Sequence, residues 1–391
     1  MSLAGRRLWF VGIGGAGMSA YAQLARAWGA EVGGWDRVRT PYLDALGDVP
    51  LELGPEPAVP EGWEAVVSSA YPEVPGTSRR DFLRGLVVLR ESIVVAGTHG
   101  KGTTAAMIAF ALREAGRDPA WLIGAPVPQL GSNAGAGTGV LVVEGDESDG
   151  TVFSLPAAVA VVTNLELDRH SERDFASLAE LEQAFDRWLA TVPRVVRAAP
   201  PYRGRLALPG EHNRRNAGAA LAALEQVGVD RPDAEAALAR FEGVRRRFEE
   251  RRVPLAGAGD VTVVDDYAHH PGEIAATIAA ARERFPDATL RVLFQPHLFS
   301  RTRRFAPELA AALAAADDVA VTDVYPARER PVPGVSGKLV VDALSDLGAT
   351  PAWMPTVEDG AAWLRRRAGT GDVLLVLGAG DVDRAVDHLR G

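Results

Sequence analysis

Val94-Val95-Ala96-Gly97-Thr98-His99-Gly100-Lys101-Gly102-Thr103-Thr104 is the stretch that decides the fold of this chain. An apolar β-branched run, Ile93 to Ala96, precedes the glycines, and a segment rich in Ala, Met and Leu, Thr103 to Ala115, follows them. The order is therefore strand, glycine turn, helix. Small residues at such a turn let backbone N–H groups approach a polyphosphate. The helix N-terminus adds partial positive charge, and a lysine reaches the outer phosphates. The chain has 42 Lys and Arg residues, of which only Lys101 and Lys338 are lysines, so a flexible point charge at this place calls for a specific partner. The reading is a nucleoside triphosphate cradle made by Gly97, Thr98, His99, Gly100, Lys101, Gly102, Thr103 and Thr104. A plain strand-to-helix turn is the alternative.

Upstream lies a second glycine turn. A strand, Arg7 to Val11, enters Gly12-Ile13-Gly14-Gly15-Ala16-Gly17, and a helix follows from Met18 to about Trp28. A short strand, Glu31 to Trp35, then ends at Asp36. A strand, G-x-G-x-x-G, a helix and an acid about twenty residues on make a dinucleotide-type fragment. The same geometry serves any diphosphate, a UDP-sugar as well as a nicotinamide cofactor. The segment from Pro50 to Pro75 carries six prolines and reads as surface loops around one strand, Ala65 to Ser69.

Downstream, Gly131 to Gly139 has the composition of a linker. Gly139 to Val143 reads as a buried strand delivering Glu144, with Asp146, Glu147 and Asp149 behind it. Four carboxylates this close repel one another; at a strand end beside a phosphate cradle they read as a magnesium site. A further strand, Val159 to Thr163, ends at Asn164, and Asp168, Arg169 and His170 follow. Phe175 to Thr191 is amphipathic and helical. Gly210 to Asn216 opens a helix running to about Gln226, and its Asn213 and Asn216 can donate and accept together, as an adenine edge requires. Helix capping is the alternative for Asn213. After a helix near residues 234–240, Arg245, Arg246 and Arg247 stand together, which calls for a polyanion or an acidic loop to balance them.

From Val261 a separate α/β pattern begins. Strands at Val261 to Val264, Leu290 to Phe294, Asp318 to Thr322 and Val373 to Leu377 alternate with helices near 272–284, 304–316, 337–347 and 357–368, which means a parallel sheet with helices on its faces. Polar signals fall just after each strand: Asp265 to Pro271, Gln295 to His297, Asp323 to Glu329 and Gly378 to Asp381. Ligands bind outside the carboxyl ends of parallel strands, so these segments should meet in one crevice.

Composition sets bounds. At 391 residues with 47% hydrophobic content, two or three cored domains are expected. A net charge of -9 argues against a nucleic-acid scaffold. The absence of cysteine excludes disulfides, thiolate metal sites and cysteine nucleophiles. No apolar run reaches the length of a membrane span and no signal-peptide layout opens the chain, so a cytoplasmic protein with no membrane partner is expected. A monomer or weak homodimer is the expected assembly.

The stretches GIGGAGMSA, AGTHGKGTT, VEGDESDG, VTN, GEHNRRNAGAA, GVRRRFE, DDYAHHP, FQPHLFSRT, DVYPARERPVPGVSG and LGAGD, in this order, resemble the Mur ligase family over essentially the whole chain. The resemblance implies an α/β protein of three domains. These are an N-terminal Rossmann-like UDP-binding domain at 1–90, a central P-loop ATPase domain at 91–253, and a C-terminal Rossmann-like doubly wound amino-acid domain at 254–391. It implies the cofactors ATP and Mg2+ and, in the branch that the motifs resemble, UDP-N-acetylmuramate and L-alanine as partners, joined through an acyl phosphate in peptidoglycan precursor synthesis. By the same resemblance Gly12, Gly14, Gly15, Gly17, Asp36, Ser68 and Asn133 hold the UDP-sugar. Asn213, Asn216 and Arg246 join the cradle in holding the nucleotide, and Thr103, Glu144 and His170 hold magnesium. Lys101, His269, His297, Arg301, Asp323 and Arg328 would serve the chemistry.

The sequence departs from the family pattern in three places. The family has threonine after the cradle lysine, where this chain has Gly102, leaving Thr103 or Thr104 to supply a hydroxyl. The family histidine beyond VTN falls on Arg169 here, with His170 one residue later. Arginine and tyrosine after FQPH are replaced by Leu298 and Phe299. A catalytically altered paralogue that binds UDP-sugar and nucleotide, and the related peptide-recycling ligase, are therefore kept as alternative expectations.

Overall fold

The computed structural model describes residues 3–147, 150–167, 175–327 and 329–390. Its three sheets arise from the alternation of apolar runs with helical segments. The first comprises β1 (Arg7–Val11), β2 (Glu31–Asp36), β3 (Leu51–Leu53), β4 (Glu64–Val67) and β5 (Thr77–Ser78) in the order β3-β2-β1-β4-β5. All its pairings are parallel. The second comprises β6 (Ser92–Ala96), β7 (Ala120–Val127), β8 (Ser132–Ala136), β9 (Leu141–Glu144), β10 (Val159–Val162) and β11 (Arg194–Arg197) in the order β11-β10-β6-β9-β7-β8. The third comprises β12 (Glu249–Leu255), β13 (Gly259–Asp266), β14 (Leu290–Phe294), β15 (Asp318–Val321), β16 (Ala352–Trp353) and β17 (Val373–Leu377) in the order β12-β13-β17-β14-β15-β16. Among the described residues only the edge pairs β7 with β8 and β12 with β13 run antiparallel. Sheets of this kind, covered by helices, are the α/β architecture that the strand spacing predicts.

Helices α1 (Ala16–Ala27) and α2 (Arg79–Val88) go with the first sheet. Helices α3 (Lys101–Glu114), α4 (Leu178–Leu189), α5 (Glu211–Gln226) and α6 (Arg231–Leu238) follow. Helices α7 (Pro271–Arg284), α8 (Phe299–Leu313), α9 (Lys338–Asp346), α10 (Val357–Arg367) and α11 (Arg384–Arg390) go with the third sheet. No helix among the described residues is long and apolar enough to cross a membrane.

The chain divides into two compact units. One is Met1–Ala207 with Arg214–Glu242, and the other is Leu208–Asn213 with Gly243–Gly391. In the first unit a single buried apolar cluster runs from Leu8, Phe10 and Phe82 to Val94, Val143 and Phe185, so two sheets share one core. In the second unit one cluster around Val264, Ile274, Phe294 and Leu309 covers one face of the sheet. Another, around Val263, Leu293, Trp363 and Leu374, covers the opposite face.

The linker reading of residues 131–139 is corrected by the structure. Ser132–Ala136 is strand β8, antiparallel to β7. Its glycines are packing residues: a Cβ on Gly135 would lie 2.2 Å from the Trp121 ring. The proline-rich segment is also more than surface connection, because Tyr71 packs edge-on against Trp35 at 5.1 Å and closes over Gly12.

Candidate active site

The cradle is built by three neighbouring parallel strands. β6 lies between β10 and β9, with Ala96 beside Val162 and Val95 beside Glu144. Thr163 and Asn164 therefore emerge on one side of the glycine turn and Glu144 on the other. Asn164 stitches the turn closed. Its carbonyl accepts from Thr98 N at 2.9 Å and its Oδ1 from His99 N at 2.9 Å, while its Nδ2 donates to His99 O at 2.8 Å. Thr163 Oγ1 donates to His99 O at 2.7 Å. Thr98 Oγ1 donates to Glu166 O and accepts from Glu166 N, each at 2.9 Å. With the turn held this way, the first N–H groups of α3, which have no intrahelical acceptor, point out of the helix end.

Two glycines are fixed by space as well as by φ. Gly97 has φ +122°, and a Cβ there would stand 2.4 Å from Thr163 Oγ1. Gly100 has φ +81°, and its Cβ would stand 2.3 Å from Asn216 Oδ1. Asn216 thus lies against the cradle. Asn213, expected beside it in function, donates Nδ2 to Pro209 O at 2.7 Å.

Lys101 Nζ donates to Gly97 O at 2.7 Å and Thr98 O at 3.2 Å, and lies 2.9 Å from Glu147 Oε2. Burial works against the ammonium, but Glu147, Glu144 and Asp146 outweigh it and hold the lysine above its ordinary pKa. Burial also pushes the Glu147 carboxyl above the usual range, with Lys101 opposing and Asp146 adding to the rise. Sequence reading placed Glu147 in an acidic group without singling it out as the partner of Lys101.

Glu144 sits between two glycines. Its Oε2 accepts from Gly124 N at 2.6 Å. A Cβ on Gly124 would come within 2.9 Å of that oxygen, and one on Gly102 within 3.1 Å. Thr103 and Thr104 are buried, and Thr104 Oγ1 has no hydrogen-bond partner among the described residues. No three His, Asp or Glu side chains among the described residues cluster to hold a cation by themselves. Magnesium asks for less, since it is held by one or two carboxylates together with phosphate oxygens and water. Glu144 beside a phosphate cradle fits that demand, and the unpaired Thr104 hydroxyl supplies a further oxygen at the same helix start. Asp149, Asp168, Arg169 and His170 lie outside the described residues, so the expected histidine ligand does too.

At the first glycine turn Asp36 is committed to the backbone, accepting from Gly14 N and Arg37 N, both at 2.7 Å. Thr40 Oγ1 donates to Gly14 O at 2.7 Å. Gly12, with φ +83°, leaves room for Ser68 and Tyr71, whose atoms a Cβ would meet at 2.9 and 3.1 Å. A Cβ on Gly15 would meet only Gly12 O, at 3.5 Å, and one on Gly17 would face the Arg79 guanidinium at 3.6 Å. Asn133 reaches this turn from β8, donating Nδ2 to Ala16 O at 3.2 Å. The seven expected UDP-sugar residues are thus gathered at one strand edge and helix start. Tyr71, Thr40 and Arg79 stand with them, although their sequence surroundings carried no signal.

In the second unit the carboxyl ends of β13, β14 and β15 bring His269, His297 and Tyr325 into one aromatic cluster, His269 edge-on to His297 and His297 stacked on Tyr325. The rings of His269 and His297 are 5.7 Å apart, and those of His297 and Tyr325 are 5.8 Å apart and nearly parallel. Arg301 is buried and lies 3.1 Å from His297 Nδ1 through its Nη1. His269 Nδ1 faces Tyr267 O at 2.9 Å and Glu273 Oε2 at 3.3 Å. That places the proton of the neutral ring on Nδ1 and leaves Nε2 as an acceptor. Asp323 is turned to its own loop, where Oδ1 accepts from Val324 N and Gly337 N. Arg328 lies outside the described residues. Arg246 is engaged within the unit, donating to Gly378 O at 2.6 Å and Gly380 O at 2.9 Å and lying 3.4 Å from Asp265 Oδ1. Acidic side chains thus balance the arginine cluster. Leu298 adopts φ +69°, a conformation rare for a leucine, and Phe299 packs with Val324 and Val335.

Burial depresses the His269 imidazole to about 4, against the opposing pull of Glu273. An unfolded chain takes up that proton below the ordinary value of 6.5, whereas the folded chain refuses it until about 4. Stability is therefore lost as pH falls through this window. In urea unfolding, the stability of the wild type relative to His269→Gln should drop by about 2–3 kcal/mol between pH 7 and pH 4. A constant difference would contradict the assignment.

A model of the Mur ligase glutamate ligase domain matches residues 246–380. The chain is 37% identical to a UDP-N-acetylmuramate–L-alanine ligase of Renibacterium salmoninarum over 97% of its own length and 94% of that protein. This chain belongs to the Mur ligase family. It is also 38% identical to a ligase of the same name from Kineococcus radiotolerans, over 96% of this chain and 94% of that one. A crystal structure of a UDP-N-acetylmuramate-alanine ligase from Thermotoga maritima is similar with a TM-score of 0.81 at 26% identity, covering 98% of each chain. A murein peptide ligase from Psychrobacter arcticus shares the fold, with a TM-score of 0.65 at 23% identity over 99% of both chains.

Asn164 gives the cradle a separate test. Asn164→Ala removes two of the three bonds described to His99, leaving that from Thr163 Oγ1, so the ATP KM should rise by roughly tenfold or more while UDP-sugar affinity stays unchanged. Steady-state kinetics with varied ATP would read the first effect and titration calorimetry the second. An unaltered KM would mean that the cradle holds its shape without this side chain.

Proposed function

We propose that this chain joins L-alanine to the lactyl carboxylate of UDP-N-acetylmuramate at the expense of ATP. The observation that carries the proposal is the Lys101 cradle, flanked by Glu144 and Asn164, in a chain similar along its length to ligases of that name. A lactyl oxygen attacks the γ-phosphorus, ADP leaves, and an acyl phosphate forms. The amine of alanine then attacks the carbonyl carbon, and phosphate leaves with the C–O bond pair.

Phosphoryl transfer needs positioning and charge stabilisation more than covalent help. Lys101 and the first N–H groups of α3 supply positive charge at the cradle. Asn216 is assigned to the base, and Glu144 with Thr103 or Thr104 would hold magnesium, which neutralises charge on the transferring group when bound. The glycine turn from Gly12 to Gly17, with Ser68 and Asn133, is assigned to the UDP-sugar. In the second unit Arg301 offers a fork for a carboxylate, and the neutral His269 offers Nε2 to an amine proton. We assign the three sheets to three domains with the boundaries expected from sequence.

Phosphate release measured with ATP, UDP-N-acetylmuramate and a panel of amino acids tests the proposal. Release should require all three substrates and be fastest with alanine. Release with a cell-wall tripeptide but not with alanine would reassign the chain to peptide recycling. Binding of UDP-sugar and nucleotide without any release would make it a non-catalytic paralogue.

A further inference from the structure

Three oxygens crowd the Lys101 ammonium: Nζ donates to Gly97 O and Thr98 O and is ion-paired with Glu147 Oε2 at 2.9 Å. Two of these are neutral carbonyls of the turn itself, three and four residues before the lysine. The third is an anion from the loop after β9, and it is buried, with 6% of its side chain exposed. A triphosphate that takes this ammonium competes with these oxygens for it. Only Glu147 would then be left as an unneutralised charge facing the phosphates, so the exchange weighs one anion against another.

We propose that Glu147 is a built-in competitor of the nucleotide: its carboxylate holds Lys101 Nζ and yields it to the outer phosphates, so that Glu147 weakens nucleotide binding and favours release. The proposal rests on the nucleotide reading of the cradle. Glu147 has a different partner from Glu144, whose Oε2 accepts from Gly124 N between Gly124 and Gly102. It acts through Lys101 and is a positioning residue. An ammonium that no longer faces a carboxylate binds an incoming anion more tightly, which gives the substitution its sign.

Two readouts on the full chain test this. Calorimetry with a non-hydrolysable ATP analogue and magnesium should show Glu147→Gln binding about tenfold more tightly than wild type, with UDP-N-acetylmuramate affinity unchanged. A purely structural Glu147 would give equal or weaker analogue binding. The second readout uses the scarcity of lysine. Mild acylation without nucleotide, followed by peptide mass analysis, reports Lys101 against the exposed Lys338 at the start of α9. The ratio of Lys101 to Lys338 modification should rise several-fold in Glu147→Gln, and an unchanged ratio overturns the pairing. Should that variant be recovered unfolded, Glu147→Asp, which draws the carboxylate back by one methylene, is expected to shift both readouts in the same direction. No analogue binding to either protein would overturn the cradle reading and the competition together. Binding that the substitution leaves unchanged would overturn the competition alone.

Discussion

Lys101→Ala should abolish ligation, with kcat lower by roughly 10³-fold or more, while UDP-N-acetylmuramate binds almost as in the wild type. The first effect follows from position. Lys101 is the first residue of α3, its Nζ is drawn over the turn by Gly97 O and Thr98 O, and the chain has no other lysine before residue 338. Nothing nearby can take over as a flexible point charge. The second effect follows from the distance in the fold between the two glycine turns, one after β1 and one after β6, in different sheets. Truncation also strands the buried Glu147 carboxylate, so stability should fall by about 1–3 kcal/mol. Phosphate release, calorimetry with the UDP-sugar and thermal unfolding separate these contributions. Loss of UDP-sugar binding in a folded variant would contradict the assignment of the two turns.

Gly97→Ala should be nearly as damaging through a different cause. The residue has φ +122°, a region that side chains avoid, and the added methyl would lie 2.4 Å from Thr163 Oγ1 and 2.6 Å from Asn164 O. One of those atoms is backbone and the other is tied to His99 O. Relief therefore requires breaking the bonds that close the turn around Thr98 and His99. We expect nucleotide affinity to drop by about 100-fold and stability by about 2–4 kcal/mol. Calorimetry with the ATP analogue and urea unfolding check the two values. A variant that binds like the wild type would mean that the turn conformation is not what the nucleotide reads.

Sequence alone revealed what depends on local order: parallel strands alternating with helices, and glycine turns between a strand and a helix. β1, β14 and β17 fall where the apolar runs place them. What sequence hid depends on distant partners. β8 was obscured by its glycines, which look like a linker until Trp121 is seen lying across Gly135. β12, Glu249 to Leu255, is too charged and proline-bearing to read as a strand. It is an edge strand whose Arg251 faces Glu249 at 3.1 Å, and edge strands tolerate such residues. The arginines of α2 mask its apolar face in the sequence, although Ser78 caps it by accepting from Asp81 N. At the site, the motifs brought attention to Lys101 and Glu144, but the part of Asn164 in closing the turn and the pairing of Lys101 with Glu147 depend on segments that follow neighbouring strands. Arg246 shows the same limit, since its carbonyl partners lie more than 130 residues away.

The short stretch Leu208–Asn213 belongs to the second unit although the chain before and after it belongs to the first. Gly210 N donates there to Glu283 Oε2 at 3.2 Å, and Leu208 lies beside the Gly243 position. In genetic terms the second unit is consequently not a cassette. A recombination event that exchanged everything after residue 242 would bring in a new sheet but keep the old insert, and the insert would have to match its new host. Such crossovers should survive only between closely similar parents, and they should recover when residues 208–213 are exchanged along with the rest.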